Sequence, residues 1–225
     1  MLFDSKKVMV IAPHADDEAF GMAGTIKKMT DDGIEVLVVV VCCGSDYAFE
    51  HVNKSIERDV RIDEMHSVAS LLGCKAVMLD FVEESRMDTV PIRSVVMEIE
   101  RIQDEFKADS WFVAGLSFHQ DHRVVYNAAM AAARMSRVNV PSAVFLYETP
   151  MYAMSAPQWS MTPNVYVDIS EYVETKRQAA LMYESQIRST GPLSPDRIVD
   201  WAKACGSECG FAAAERFQLL RMISR

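Results

Sequence analysis

The sequence predicts an α/β fold, a three-layer α/β/α arrangement on a mostly parallel sheet, with its site at the C-terminal edge of the strands. Three observations predict it. Short apolar runs rich in β-branched residues alternate with segments of helical spacing through the first two-thirds of the chain, the pattern of successive βαβ units. The run 36–42 is continuously apolar, as expected of a strand covered on both faces. Two polar stretches carrying histidines and acids, 13–18 and 118–123, each follow a predicted strand, and in such sheets ligands bind beyond the carboxyl ends of the strands.

The elements follow in order. A first strand covers 8–12, and a helix over 20–32 ends at Gly33. The strand at 36–42 is broken by Gly44, Ser45 and Asp46. Over 55–72, Ile56, Val60, Ile62, Met65, Val68, Ala69 and Leu72 recur at helical spacing, and Gly73 is the stop. A third strand covers 76–81. Pro91 opens a helix to 106 with Ile92, Val95, Val96, Ile99 and Ile102 on one face. A fourth strand, 110–114, breaks at Gly115; a helix from 121 to 135 and a strand at 143–146 follow. The last third is less regular. A loop at 149–162, with Pro150, Pro157 and Trp159, is expected near the site as a contact or lid. A strand at 165–169, a helix at 171–185, a turn-rich linker at 189–195 and a helix at 197–205 complete the reading. There is no internal repeat, and the chain reads as one domain, 1–225. No G-x-G-x-x-G follows the first strand, which argues against dinucleotide binding.

Bulk properties narrow the partners. The chain has 225 residues, half of them hydrophobic, and a net charge of −9, which argues against nucleic acid as the main partner. No apolar run approaches the roughly 20 residues of a membrane helix, and residues 1–7 lack the build of a signal peptide. Five cysteines without C-x-x-C spacing read as reduced thiols, so a cytoplasmic location is expected. The 15 methionines are scattered and read as core filler.

The chemistry concentrates in two clusters. Asp16, Asp17 and Glu18 are consecutive acids that repel one another, and a divalent cation makes such crowding sensible. His14 precedes them. The second cluster brings His119, Asp121 and His122, so together the two hold three of the five histidines. A His, carboxylate and His set with a fourth position open to water is a common catalytic zinc arrangement. The same donors accept ferrous iron.

Pro13-His14-Ala15-Asp16-Asp17-Glu18 and His119-Gln120-Asp121-His122 resemble the paired A-H-P-D-D-E and H-P-D-H signatures of the PIG-L/LmbE-like zinc-dependent N-deacetylases. Ala15 and Gln120 stand where that family usually has proline, and every liganding residue type is kept. Arg61-Ile62-Asp63-Glu64 with Leu72-Gly73, Lys176 with Ser185-Gln186, and Ala214-Glu215-Arg216-Phe217 extend the resemblance over nearly the whole chain. It implies a Rossmann-like fold with His14, Asp17 and His122 as zinc ligands and Asp16 as general base toward the attacking water. His119, as imidazolium, would stabilise the oxyanion. Asp121 would orient or charge His119, with a helix N-cap as its alternative role. Glu18 is expected to hold the loop or the helix start. Arg61 and Asp80 are implied as hydroxyl-binding groups for a sugar; for Arg61 the alternative is a solvated helix face pairing with Glu57 or Glu64. Arg123 is read as structural or as a partner for an anionic group.

The expected activity is zinc-dependent removal of an N-acetyl group from an N-acetylamino sugar of the N-acetylglucosamine type, or from its conjugate. The rivals are a metal-dependent deacylase of another amide, such as an acylated antibiotic or peptide, and a non-catalytic metal- or sugar-binding protein. The resemblance also makes a homo-oligomer an expectation.

Overall fold

The computed structural model describes residues 5–44, 55–150, 161–191 and 193–224. Its strands form one seven-stranded sheet in the order β3-β2-β1-β4-β5-β7-β6. These are β1 (Lys7–Ala12), β2 (Glu35–Val40), β3 (Lys75–Met78), β4 (Ser110–Ala114), β5 (Ala143–Tyr147), β6 (Val165–Asp168) and β7 (Ala214–Met222). The first five run parallel, and β7 lies antiparallel between β5 and β6. The helices are α1 (Asp17–Asp31), α2 (Arg58–Leu72), α3 (Ile92–Phe106), α4 (Gln120–Ala132), α5 (Val173–Met182) and α6 (Pro195–Cys209).

Alternation along the strands divides the core into two layers, as a pleat with side-chain period two requires. Val8, Val10 and Ala12 of β1 face α1, α2, α5 and α6; Met9 and Ile11 face α3 and α4. Both faces of the sheet are therefore covered, which is why β1 and β2 read as unbroken apolar runs.

Most predicted elements appear with boundaries moved by a few residues. The first helix starts three residues early because Asp17 and Glu18 sit in its first turn, where the helix dipole favours acids. The last helix extends from Pro195 to Cys209 because Ser194 caps it, its hydroxyl accepting the Arg197 amide at 3.4 Å. Gly73 ends α2 in the left-handed conformation, with φ 73°, where a β-carbon would be strained.

One strand was missed. Residues 214–217 match a family motif, but the composition of 214–222, with Glu, Arg, Gln, Leu and Met, favours helix. Pairing with β5 on one side and β6 on the other overrides that preference.

Candidate metal centre

The order reverses between β1 and β4, which are neighbours in the sheet although β2 and β3 intervene in sequence. The loops leaving these two strands diverge over a crevice at the carboxyl edge. One loop carries His14, Asp16 and Asp17; the other carries His119, Asp121 and His122. Topology thus brings together two motifs about a hundred residues apart.

Nδ1 of His14 lies 3.5 Å from Oδ2 of Asp17, and Nε2 of His122 lies 3.3 Å from the same oxygen. All three side chains are buried, and their donor atoms lie within 4.8 Å of one another. Two imidazole nitrogens and one carboxylate oxygen suit a tetrahedral divalent ion with one position left for water or substrate.

Asp17 and His14 are held from behind. Oδ2 of Asp17 accepts the His14 amide at 3.1 Å, and Oδ1 accepts the Thr149 hydroxyl at 2.8 Å. The other ring nitrogen of His14, Nε2, bonds Oδ2 of Asp121 at 2.9 Å, a support that orients an imidazole ligand. Asp121 is fixed in turn by the amides of Ser85, at 2.5 Å, and Met87, at 3.1 Å. Ser85 adopts φ 67°, an uncommon conformation for a residue with a β-carbon.

The charges are strongly coupled. Burial alone would lower the His14 pKa, but Cys42, Glu84, Asp121 and Asp17 raise it well above the usual value. The carboxylates among them, Glu84, Asp121 and Asp17, are the negative charge that a bound cation would neutralise. Burial would raise Asp17, yet His122 and His14 hold it well below the ordinary carboxylate range. Cys42 also lies near His14 and Asp121, but its thiol donates to the Pro13 carbonyl at 3.1 Å and burial pushes its pKa to about 12. It is a protonated neighbour, unlike the thiolate a metal would require.

Asp16 stands at the N-cap of α1, where its carbonyl accepts the Phe20 amide at 2.9 Å, while its carboxylate makes no capping bond. Burial pushes its pKa to about 8, against the pull of Arg61, whose Nη2 is 3.9 Å from Oδ2. Arg61 is itself buried and pairs with Glu84 at 2.8 Å, so the expected solvated face with Glu57 or Glu64 is not found. Glu64 instead accepts both the amide and the hydroxyl of Ser185. Asp80 lines a cavity of about 430 Å³ with Cys43, Gly44, Ile56 and Phe81, and Arg58 grips its carboxylate at 2.6 and 2.7 Å.

Two expectations need correction. The Asp121 carboxylate reaches His14 rather than His119, whose Nδ1 is 3.9 Å away, and the residue that caps α4 is His119 itself. Nδ1 of His119 accepts the Asp121 amide at 3.2 Å, which assigns the ring proton to Nε2. Burial, with the charge of His14, lowers the His119 pKa to about 4, which favours the neutral ring over the expected imidazolium. Glu18 is buried against the Tyr183 hydroxyl, and Arg123 donates to the Phe118 carbonyl at 2.6 Å. Glu84 and Ser85 had no signal in the sequence, since they lie in a polar loop run, Glu83 to Arg86, without periodicity, whereas Thr149 opens the 149–162 loop expected near the site. Ser45, Asp46 and the interior of the 149–162 loop, 151–160, lie outside the described residues.

A buried His/Asp/His set with a neighbouring carboxylate, at the switch point of a mostly parallel sheet, defines an α/β protein with a candidate metal site. The comparisons give the family. The model of the GlcNAc-PI de-N-acetylase family, PIG-L, matches residues 9–133. Diacetylchitobiose deacetylase of Thermococcus kodakarensis is 30% identical over 191 residues, 81% of this chain and 71% of that protein. A probable N-acetyl-alpha-D-glucosaminyl L-malate deacetylase 2 of Bacillus cereus is 25% identical over 80% of this chain and 84% of its own. The solved N,N'-diacetylchitobiose deacetylase of Pyrococcus horikoshii superposes with a TM-score of 0.80 at 26% identity, covering 96% of this chain and 84% of its own. The chain belongs to the PIG-L family, whose matched relatives are deacetylases and thus amide hydrolases. No helix among the described residues is long and apolar enough to cross a membrane.

Proposed function

We propose that this protein is a zinc-dependent hydrolase that removes the N-acetyl group from an N-acetylamino sugar of the N-acetylglucosamine type, or from a conjugate of one. The observation that carries this reading is the convergence of His14, Asp17 and His122 beside the uncapped Asp16 carboxylate. The named substrates of the deacetylase relatives give the chemical class.

His14, Asp17 and His122 would hold the zinc, with Asp121 fixing the His14 ring and Thr149 fixing Asp17. When bound, the cation supplies Lewis acidity, lowering the pKa of a water and polarising the amide carbonyl. Asp16 takes a proton from the water as its oxygen attacks the acetamide carbon. His119 donates its Nε2 proton as a hydrogen bond to the carbonyl oxygen, where negative charge develops. A neutral imidazole performs this without crowding the cation with a second positive charge. Asp16 then returns the proton to the nitrogen as the carbon–nitrogen bond breaks, giving acetate and a free amine.

Arg61 and Asp80 are assigned to the sugar hydroxyls. Supporting this, the Arg61 guanidinium forms an ion pair but none of its nitrogens makes a hydrogen bond among the described residues, and Asp80 lines the cavity one helical turn away, beside Arg58. The reading takes 1–225 as one domain, supported by a single sheet running from residue 7 to residue 222. It takes the location as cytoplasmic, supported by five free cysteines. Ferrous iron, which the same donors accept, is the alternative to zinc as resident metal, and a homo-oligomeric state completes the reading.

The test is acetate release from a panel of N-acetylated amino sugars, acetylated peptides and acylated glycopeptides, run with the metal-stripped and zinc-loaded protein. Zinc-dependent release confined to the amino sugars is expected. Release only from peptides or glycopeptides replaces the substrate class, and zinc binding without any turnover replaces the enzyme by a binding protein.

A further inference from the structure

Helix α1 is broken one turn after the residues it contributes to the metal centre. Met22 has φ −148° and ψ 23°, outside helical values, so the segment bearing Asp17 and Glu18 is separate from the remainder of the helix. In a continuous helix the Phe20 carbonyl would accept the Gly24 amide directly. Here a buried ion pair bridges those groups. Nζ of Lys176 donates to the Phe20 carbonyl at 2.8 Å and lies 3.4 Å from that of Ala19. It also lies 2.6 Å from Oε1 of Glu215, which accepts the Gly24 amide at 3.1 Å, while Oε2 accepts the Thr25 amide at 2.6 Å.

Lys176 comes from α5 and Glu215 from β7, and their side chains are only 1% and 2% exposed. A buried ion pair is weak evidence for stability, since apolar residues of similar volume often serve as well. This pair does something apolar side chains could not: it satisfies carbonyls on one side of a helix break and amides on the other. The first turn of α1 is fixed at its other end by the bond from the His14 amide to Asp17. Thr149 and Tyr183 hold the side chains of Asp17 and Glu18 in that turn, while Lys176 and Glu215 hold its backbone at the break.

We propose that Lys176 and Glu215 are positioning residues for the metal centre: together they splice the broken α1 and set where Asp17 and Asp16 point. The proposal rests on the metal-site reading above, and its test separates the two. The double variant Lys176→Met/Glu215→Gln removes both charges at near-constant volume and leaves no lone buried ion. Zinc affinity of the parent is measured first by competition with a chromophoric chelator; a parent that binds no zinc overturns the site itself. Given a parent that binds, the folded double variant is expected to bind zinc at least about tenfold more weakly, the loss typical of disturbed outer support. At saturating zinc, kcat should fall at least about tenfold with KM within about twofold, since orientation and not substrate binding is disturbed.

The variant Ile102→Ala, on α3 in the other core layer, supplies a control for general destabilisation. It should melt earlier and keep its zinc affinity. Unchanged affinity in the double variant, or an equal loss in the Ile102→Ala control, overturns the proposal. Should the double variant fail to fold, hydrogen exchange on the unmodified protein decides. By reciprocity of coupling, zinc should slow exchange of the Gly24 and Thr25 amides; exchange at those amides unaltered by zinc overturns it equally.

Discussion

Nε2 of His14 lies 2.9 Å from Oδ2 of Asp121, while Nδ1 of the same ring faces Asp17. One imidazole thus spans two carboxylates, one in the donor set and one behind it. Asp121→Asn keeps the shape of the support but removes its charge, and zinc affinity is expected to fall about 10- to 100-fold. Chelator competition at fixed pH measures this, and an affinity equal to the parent's would show that Asp121 does not act through His14.

Removing a donor and removing the base should have separable effects. His14→Ala and His122→Ala are expected to purify without zinc, as read by elemental analysis. Asp16→Ala should hold its zinc and lose about 10²- to 10⁴-fold in kcat, the usual contribution of a general base. Full activity in a zinc-loaded Asp16→Ala protein would assign the proton transfer to another group.

Asp80 separates substrate binding from chemistry. It lies in the cavity wall with Arg58 rather than in the donor set. Asp80→Ala is expected to raise KM about tenfold with kcat nearly unchanged, the pattern of an interaction made equally in ground and transition states. Steady-state kinetics on the best amino sugar of the panel decide this; a fall in kcat alone would remove Asp80 from the sugar contacts.

Gly21 marks where α1 passes closest to β5. A β-carbon there would sit 2.5 Å from Cδ2 of Tyr147 and 3.1 Å from the Glu148 carbonyl oxygen. Tyr147 is fully buried and donates to the Ile11 carbonyl at 3.2 Å, so it has little freedom to retreat. Gly21→Ala is expected to cost about 1–3 kcal/mol, as overpacking usually does. Thermal and denaturant unfolding measure it, and a melting temperature within a degree of the parent would contradict it.

The sequence made the parallel core and both loops of the candidate metal centre legible because their signals are local. Continuous apolar runs reveal covered strands, and acids crowded beside histidine are costly without a cation. What sequence left unread depends on three-dimensional pairing. Strand β7 has helix-favouring composition and forms because β5 and β6 flank it. Arg61 carries no mark of burial, and its partner Glu84 lies in a loop without periodicity. The neutral state of His119 follows from its burial beside His14, and its tautomer from a backbone amide; neither is visible in a H-Q-D-H motif. Asp121 was found as a residue but given the wrong partner, because the motif places it two positions from His119 while the fold places its carboxylate on His14.

The insertion of β7 between β5 and β6 bears on how the chain emerges from the ribosome. Synthesis delivers β6 first, with no neighbour to bond to, and its partner arrives only with residues 214–222. A nascent chain halted before that point contains both loops of the candidate metal centre and five parallel strands but exposes the unpaired edge of β5, a template for intermolecular pairing. Chaperone protection is therefore needed most in the interval between the emergence of β5 and that of β7.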